Sequence, residues 1–167
     1  MFRDGHRCTI EMAPSIGRTA ALVLVMLAGA AIAQPPRESA EAKVQRLIAG
    51  SGYSNQHPNA KAWVIPAKGP AIGNYQVFVA VAGDIVVVGA VVAKKSQIPL
   101  TPAVLQELLK CNHDLDYVKI GLDTDGDAFV RIEISSRILD AQEFKKIVDQ
   151  VTAATDAVYT RIKPFLM

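Results

Sequence analysis

The feature that most constrains this fold is a pair of adjacent, strongly apolar segments at residues 75–82 and 85–93. Both are rich in Val and contain Ile or Phe, residue types that favour strands. Gly83-Asp84 between them is a two-residue hairpin signal. Because both faces of each segment are largely apolar, we predict a hairpin in mid-sheet, covered at least in part on both sides. Apolar surface left uncovered there would suit a partner.

Three further strands are predicted. Residues 62–65, around Trp63, form a short strand that Pro66 ends, which would confine it to an edge or a strand end. Residues 117–122 and 129–134 alternate apolar and polar side chains, with charges on one side. This alternation is typical of strands with one solvated face.

Three helices are predicted, each preceded by a side chain that can cap its first turn. Thr101 is followed by Pro102, which suits the first helical position, and Gly50 is expected to end the first helix. The helices are expected over residues 39–49, 101–112 and 140–162, with the caps Ser39, Thr101 and Asp140.

The order of these elements predicts the fold class. Residues 51–58 are polar and residues 68–74 contain two Gly and one Pro, so both are expected to be loops. The order is then α-β-β-β-α-β-β-α. We predict an α+β domain over residues 39–167, an antiparallel five-stranded sheet with helices packed on it.

Residues 1–33 are predicted to be an export signal. An uninterrupted run of apolar residues and glycine spans residues 20–33, and Ala31-Ile32-Ala33 fits a small-x-small cleavage site. The run has 14 residues, against about 20 for a spanning helix, which favours a cleaved signal over the alternative of a permanent tether. The positive charges that precede the run are Arg3, Arg7 and Arg18.

The mature chain is therefore expected to begin at Gln34, with residues 34–38 as a linker. We expect it in the periplasm or secreted, with no stable membrane anchor after cleavage. Translation from Met12 instead of Met1 would leave a more compact signal, and the sequence leaves both starts open.

Charge argues against one class of partner. The chain has 18 Lys and Arg and 16 Asp and Glu, and residues 1–33 hold three of the former and two of the latter. The mature net charge is thus +1, whereas nucleic-acid-binding proteins usually carry a concentrated basic face. We expect no nucleic-acid partner.

Cys111 is the one residue that invites a nucleophile hypothesis, because it lies beside Asn112-His113. Adjacent helical residues point about 100° apart, so this neighbourhood is poor support for a hydrogen-bonded Cys–His pair. With Cys8 removed in the signal, Cys111 is also the only thiol and has no disulfide partner. We interpret it as a small buried apolar residue.

The acidic segment at residues 123–127 resembles a calcium loop at first sight. An EF-hand needs Gly at loop position six and a bidentate carboxylate at position twelve, but here Gly126 and Ile134 occupy positions four and twelve. Asp125-Gly126 between two alternating segments is instead a strong hairpin signal. We predict a turn there, and no rise in melting temperature on adding calcium.

The remaining polar candidates do not form a site either. His57 and His113 are far apart in sequence, without a Cys pair, so no zinc site is expected. We interpret His57 as a solvated loop residue, His113 as a residue that interacts favourably with the C-terminal end of its helix, and Lys94-Lys95 as protection of a strand edge. No catalytic, cofactor-binding or metal-binding residues are predicted, and no cofactor.

The second half of the sequence resembles the YbjN domain family of bacteria. The resemblance rests on residues 105–112 ending in Asn112, residues 118–123 followed by the Asp-Gly turn, and a long helix that carries Asp156 and Tyr159. It implies a non-catalytic binding module, often of undefined role, in a fold like that of type III secretion chaperones, which is used to hold extended polypeptide. The export signal and the lack of acidic charge distinguish this chain from those chaperones.

Two function classes remain open. The first is an exported binding or regulatory module that recognises protein or peptide through a sheet edge or an apolar face of the 75–93 hairpin. A second copy of the chain competes for the same surface. No apolar surface of the hairpin stays exposed if the N-terminal helix and the segment around Trp63 fold over the face of the sheet that the last helix does not cover. The other class is a small exported enzyme with a dispersed active site.

Overall fold

The structure is a computed structural model that describes residues 38–167. The predicted export signal and nearly all of the predicted linker lie outside the described residues. The elements, in chain order, are α1 Ala40–Ser51, β1 Gln56–Asn59, β2 Ala62–Gly69, β3 Gly73–Ala82, β4 Ile85–Ala93, α2 Pro102–Asp114, β5 Lys119–Leu122, β6 Ala128–Ser135, α3 Ala141–Ile162 and a 3-10 helix at Lys163–Phe165.

The strands form one sheet in the order β1-β2-β3-β4-β6-β5, and every neighbouring pair is antiparallel. The predicted α+β class and the hairpin of β3 and β4 are confirmed. The prediction of five strands is wrong, since residues 38–167 form six. The predicted order accordingly becomes α-β-β-β-β-α-β-β-α.

The strand that the sequence missed is β1, within a segment predicted to be a loop. All four of its residues are exposed, so it has no apolar alternation to reveal it. It forms because Gln56 pairs with Val64 of β2 and because the ring of His57 stacks on Trp63, with ring centroids 4.8 Å apart. The loop interpretation of His57 is therefore wrong, although the residue is exposed.

Two predicted boundaries also move. Helix α1 continues past Gly50 to Ser51, and Gly52, at φ 78°, provides the left-handed residue that ends it. Strand β2 continues through Pro66 to Gly69, which shortens the predicted loop to residues 70–72. Pro66 is tolerated because β1 reaches only as far as Val64, so no outer strand needs its missing N–H.

All three helices lie on one side of the sheet, which we call the covered face. Helix α3 packs on β4, β6 and β2, and both α1 and α2 pack against α3. Trp63 is buried there and its Nε1 donates a hydrogen bond to Gln45 Oε1 of α1 at 2.7 Å. The buried strand residues of the covered face include Ile65, Val77, Val79, Val81, Val86, Val88, Ala90, Val130 and Ile132.

The three predicted helix caps are confirmed. Ser39 Oγ accepts from the Ala42 N–H at 3.1 Å, and Asp140 Oδ1 accepts from the Glu143 N–H at 2.8 Å. Thr101 Oγ1 accepts from the N–H of Val104 at 3.4 Å, the longest of the three. These side chains satisfy main-chain donors that have no partner within the helix.

Candidate binding face and sheet fork

The opposite side of the sheet, which we call the open face, is not covered by any helix of residues 38–167. Its central side chains are apolar and only half-buried. Helix α1 lies on the covered face with Trp63, so the alternative in which this helix closes the second face is wrong. The apolar side chains of the open face are Val64, Phe78, Ala80, Val87, Val91 and Phe129.

Aromatic rings give the open face a partial cover of its own. The ring of Phe78 lies against Gly89 of β4 so closely that a Cβ at Gly89 would be 2.7 Å from Phe78 Cζ. Phe129 lies in the same way over Gly121 of β5. The guanidinium of Arg131 lies 4.6 Å from the centre of the Phe129 ring. The two glycines leave room for these rings, which cover part of the apolar surface of the open face.

A charged rim bounds the open face at the β5–β6 end. Lys119 Nζ donates to Glu133 Oε2 at 2.6 Å, and Arg131 Nε lies 2.8 Å from Glu133 Oε1. The hydrogen bond from Lys119 lowers the pKa of the Glu133 carboxyl. An apolar centre bordered by charged groups is a common arrangement of interaction surfaces.

A second feature is a separation within the sheet, which we call the fork. Strands β3 and β4 pair from Ala82 opposite Ile85 as far as Val77 opposite Ala90, and no further. Beyond this point a groove of about 720 Å³ lies between the strand ends and opens onto the open face. Its lining includes Asn74, Gln76, Phe78, Val91, Gln97 and Tyr159.

The two sides of the fork are held by different contacts. On the β4 side, the register with β6 shifts between Val91 and Ala93, and such a bulge bends the strand that carries it. On the β3 side, Tyr75 Oη donates to the carbonyl of Thr152 in α3 at 3.2 Å. Burial raises the pKa of the Tyr75 hydroxyl. The register shift in β4 and the Tyr75–Thr152 hydrogen bond thus lie on the two sides of the fork.

Asp156 of α3 fixes the turn between β2 and β3. Its Oδ1 accepts from the N–H groups of Ala71 and Ile72 at 2.8 and 3.0 Å. Gly69 permits this approach, because a Cβ there would overlap the carboxylate. Asp156 and Tyr159, both part of the family resemblance, thus lie beside the fork.

Both outer edges of the sheet are protected. The side-chain amide of Asn112 imitates a neighbouring strand for β5: its Nδ2 donates to the carbonyl of Ile120 at 2.6 Å, and its Oδ1 accepts from the N–H of Ile120 at 2.9 Å. At the other edge, Pro66 and Lys68 lie on the part of β2 that extends beyond β1. Proline and lysine discourage the addition of a further strand.

The remaining residues singled out from the sequence are dispersed. Cys111 is buried in the core, and burial raises the pKa of its thiol. His113 is exposed in the last turn of α2, at the helix end where it was expected. Within residues 38–167, no group of three or more His, Cys, Asp or Glu side chains is placed to hold a metal ion.

The predicted turn at Asp125-Gly126 is confirmed. Asp123 Oδ1 accepts from the N–H groups of Asp125 and Asp127 at 3.0 and 2.9 Å, and Gly126 has a φ of 85°. The Asp123 side chain is thus engaged within the turn. The effect of calcium on the melting temperature stays a prediction.

The edge-protection interpretation of Lys94-Lys95 is wrong, because β4 lies inside the sheet between β3 and β6. Lys94 Nζ donates to Asp127 Oδ2 at 2.7 Å, and the main-chain N–H of Lys95 donates to Asp127 Oδ1 at 2.8 Å. These hydrogen bonds, led by that of Lys94, lower the pKa of the Asp127 carboxyl. The pair joins the end of β4 to the turn between β5 and β6.

Sequence reasoning found the apolar hairpin but not the fork. The end of the β3–β4 pairing has no local signal, since both strands continue beyond it and stay paired with their other neighbours, β2 and β6. None of the helices within residues 38–167 is both long and apolar enough to cross a bilayer.

The model of the YbjN family, described as "Putative bacterial sensory transduction regulator", matches residues 62–164. No curated protein matches the chain.

Solved structures share the fold. YbjN from E. coli, described as a putative transcription regulator, is 16% identical with a TM-score of 0.59, over 74% of this chain and 93% of the other. A chain of the heterodimeric ExoU–SpcU complex of the Pseudomonas aeruginosa type III secretion system is 17% identical with a TM-score of 0.53, over 72% and 98%. The Yersinia pestis secretion chaperone SycH, solved in complex with a stable fragment of YscM2, is 10% identical with a TM-score of 0.50, over 72% of this chain and 99% of the other. At these identities the likeness establishes the fold alone.

Proposed function

This chain belongs to the YbjN family, and on that premise we propose that it is an exported, non-catalytic module that binds a protein or peptide on the open face. The observation that carries the proposal is the half-buried apolar centre of that face, which no helix of residues 38–167 covers. A contiguous apolar patch with a charged rim is typical of a protein interaction site. Proteins of similar fold, such as SycH, have been solved in complexes with other proteins.

The open face favours a protein or peptide over a small substrate. It is broad and runs across four strands, whereas small-molecule sites are usually concave and enclose most of the ligand. Burial raises the pKa of the Cys111 thiol, which lowers its nucleophilicity at neutral pH. A catalytic cysteine usually has a lowered thiol pKa, which is the opposite shift.

Co-purification from the native envelope, with two matched variants, tests the binding surface. Phe78→Asp places a charge at the centre of the open face, and we expect it to abolish retention of a specific partner. Leu109→Asp places the same charge on α2, where Leu109 is 69% exposed, and we expect it to retain the partner. Loss with Leu109→Asp and retention with Phe78→Asp would move the interface to α2 and contradict the proposal.

The open face could be occupied by a second copy of the chain, and a further measurement distinguishes this homodimer from a different protein partner. Light scattering after size exclusion gives the oligomeric state of the wild type and of Phe78→Asp. A wild-type dimer that becomes a folded monomer in Phe78→Asp would identify the partner as the chain itself. A melting-temperature screen against metals and metabolites covers the enzyme alternative, which a reproducible ligand-specific rise would favour.

Export is tested separately. The basis is the small residues at Ala31 and Ala33 and the short apolar run before them. We expect mass spectrometry of the protein from the cell envelope or medium to find Gln34 at the N-terminus. Phe2 or Met12 at the terminus would contradict cleavage at this site.

A further inference from the structure

The chain enters α1 beside the turn between β3 and β4. Lys43, in the first turn of α1, donates from Nζ to the carbonyl of Ser136 at 2.7 Å, and the N–H of Ser136 donates to the carbonyl of Asp84 in that turn, also at 2.7 Å. Glu38 is fixed to the same helix, since its two carboxylate oxygens accept from Arg46 at 3.0 and 2.8 Å. The segment that precedes Glu38 therefore starts at this end of the sheet, which we call the turn end.

The open face also begins at the turn end. Ile85 is exposed and lies two residues before Val87, so the two side chains share the open face. Ile138, which is also exposed, follows Arg137, whose carbonyl lies 3.5 Å from Lys43 Nζ. Exposed apolar side chains thus lie both at the start of the open face and beside the entry to α1.

The segment that precedes Glu38 contains the apolar run of residues 20–33, which has no charged or polar side chain. Only residues 34–37 separate this run from Glu38. Four extended residues span about 14 Å, and packed layers are about 10 Å apart, so this linker is long enough to pass around the turn end.

The run is also long enough to cross the open face. Fourteen residues span about 21 Å even at the rise of 1.5 Å per residue that a helix has, which is the shorter of the two common regular forms. Four neighbouring strands at the usual spacing of about 4.8 Å extend over about 14 Å. The length of the run therefore does not limit its contact with the open face.

The tether favours this occupant over a separate molecule. A short linker keeps the run beside the open face at an effective concentration on the order of millimolar, which a separate partner does not have. The contact would remove apolar side chains of both the run and the open face from water. Cleavage after Ala33 would end the advantage, because the run would no longer be linked to the domain.

We propose that residues 20–33 bind the open face before residues 1–33 are removed, and that cleavage frees this face for a partner. This rests on the proposed function, because it assigns the regulation of the same surface. The open face is then closed in the precursor and available in the mature chain.

Methyl NMR of the full chain, made in a cell-free reaction without signal peptidase, tests the contact. A spin label is attached at Met26→Cys in a Cys8→Ser background, where Cys111 is buried and stays unmodified. We expect the label to remove the methyl signals of Val87 on the open face. The methyl signals of Val104 in α2 are expected to remain.

Two variants of the segment separate apolar contact from mere proximity. Leu24→Asp places a charge within the run, and we expect it to restore the methyl signals of Val87. Thr19→Asp places the same charge immediately before the run and is expected to leave those signals lost. Both substitutions lie outside residues 38–167, so the sequence of the folded domain is unchanged.

Three results would overturn the inference. In one, the Val87 signals persist in the labelled full chain; the run then does not occupy the open face, and the envelope co-purification with Phe78→Asp decides the proposed function independently. In another, Leu24→Asp and Thr19→Asp give the same result. In the third, the signals are lost equally in a mixture that carries the spin label and the methyl isotopes on different molecules, which places the contact between chains.

Discussion

The covered and open faces are built from alternate residues of the same two strands, β3 and β4. On the covered face, Val77, Val79 and Val88 are fully buried beneath the helices. On the open face, Phe78 and Val87 are half-buried. The two faces are similarly apolar in sequence, so apolar content does not decide which one the helices cover.

The difference between the faces is one of shape. The covered face presents β-branched side chains that interdigitate with the stripe of α3. The open face carries Gly89 and Gly121, and the rings of Phe78 and Phe129 occupy the space that a Cβ would take at these glycines. The rings and glycines of the open face thus replace the branched side chains that the covered face presents to α3.

The largest expected effect comes from placing one charge on each face in turn. Val79→Asp buries an unpaired carboxylate at a site with 0% exposure, and we expect a loss of about 4–5 kcal/mol or more in the free energy of unfolding. Phe78→Asp removes a half-buried ring on the open face, and we expect about 2 kcal/mol, with the native fold retained. Urea unfolding measures both. If both variants are unfolded in buffer, the two faces are equally core and the binding-surface hypothesis is wrong.

The next effect separates the two glycines of the open face. A Cβ at Gly89 would lie 2.8 Å from the main-chain oxygen of Val130, which cannot move without disturbing β6, so we expect Gly89→Ala to cost about 2–3 kcal/mol. At Gly121 the nearest atom is Phe129 Cζ at 3.3 Å, the end of a side chain, and we expect less than about 1 kcal/mol. Thermal unfolding measures the pair. Equal costs would show that the Val130 oxygen yields as easily as the end of the Phe129 side chain, and would contradict this comparison.

A smaller effect is expected at the edge of β5. Asn112→Ala leaves the N–H and carbonyl of Ile120 without their side-chain partner, which we expect to cost about 1–2 kcal/mol and to expose an edge that can pair with another molecule. Asn55→Ala, which removes an exposed amide, is the matched control and is expected to change neither stability nor association. Light scattering at increasing concentration measures association. An unchanged Asn112→Ala would show that the edge needs no protection.

The sequence predicted the elements whose signals are local. The three helix caps and the turn at Gly126 are encoded by the residues that form them, and the hairpin turn of β3 and β4 is also local. Asn112 was noticed as a fixed point of the family resemblance, although its pairing with Ile120 required the structure.

What the sequence did not predict depends on distant contacts. Strand β1 has only exposed residues and is fixed by pairing with β2 and by the stacking of His57 on Trp63. On the β3 side of the fork, Tyr75 is held by the Thr152 carbonyl, which lies 77 positions away in the sequence. The sequence also does not say which face of β3 and β4 the helices cover, because the side chains on both faces are apolar. That is seen only from the packing of α3. The open-face half of the candidate site was therefore predictable and the fork was not.

The smallest expected effect is a pH dependence at the fork, where Lys94 and Asp127 join the end of β4 to the turn between β5 and β6. The hydrogen bond from Lys94, with that from the main chain of Lys95, holds the pKa of Asp127 below its usual value. A carboxyl group whose folded pKa is lowered contributes stability that is present above its unfolded pKa, about 3.9, and is lost as pH falls through the lower folded value. We expect the melting temperature of the wild type to fall more steeply than that of Asp127→Asn as pH decreases from about 5 to about 2.

Other carboxylates with lowered pKa values, such as Glu107 and Glu133, change the wild type and the variant alike, so the difference between the two isolates Asp127. Asp125→Asn, at an exposed position of the same turn, is the control and should follow the wild type. If the wild type and Asp127→Asn lose stability in parallel over this range, Asp127 does not stabilise the β4 side of the fork.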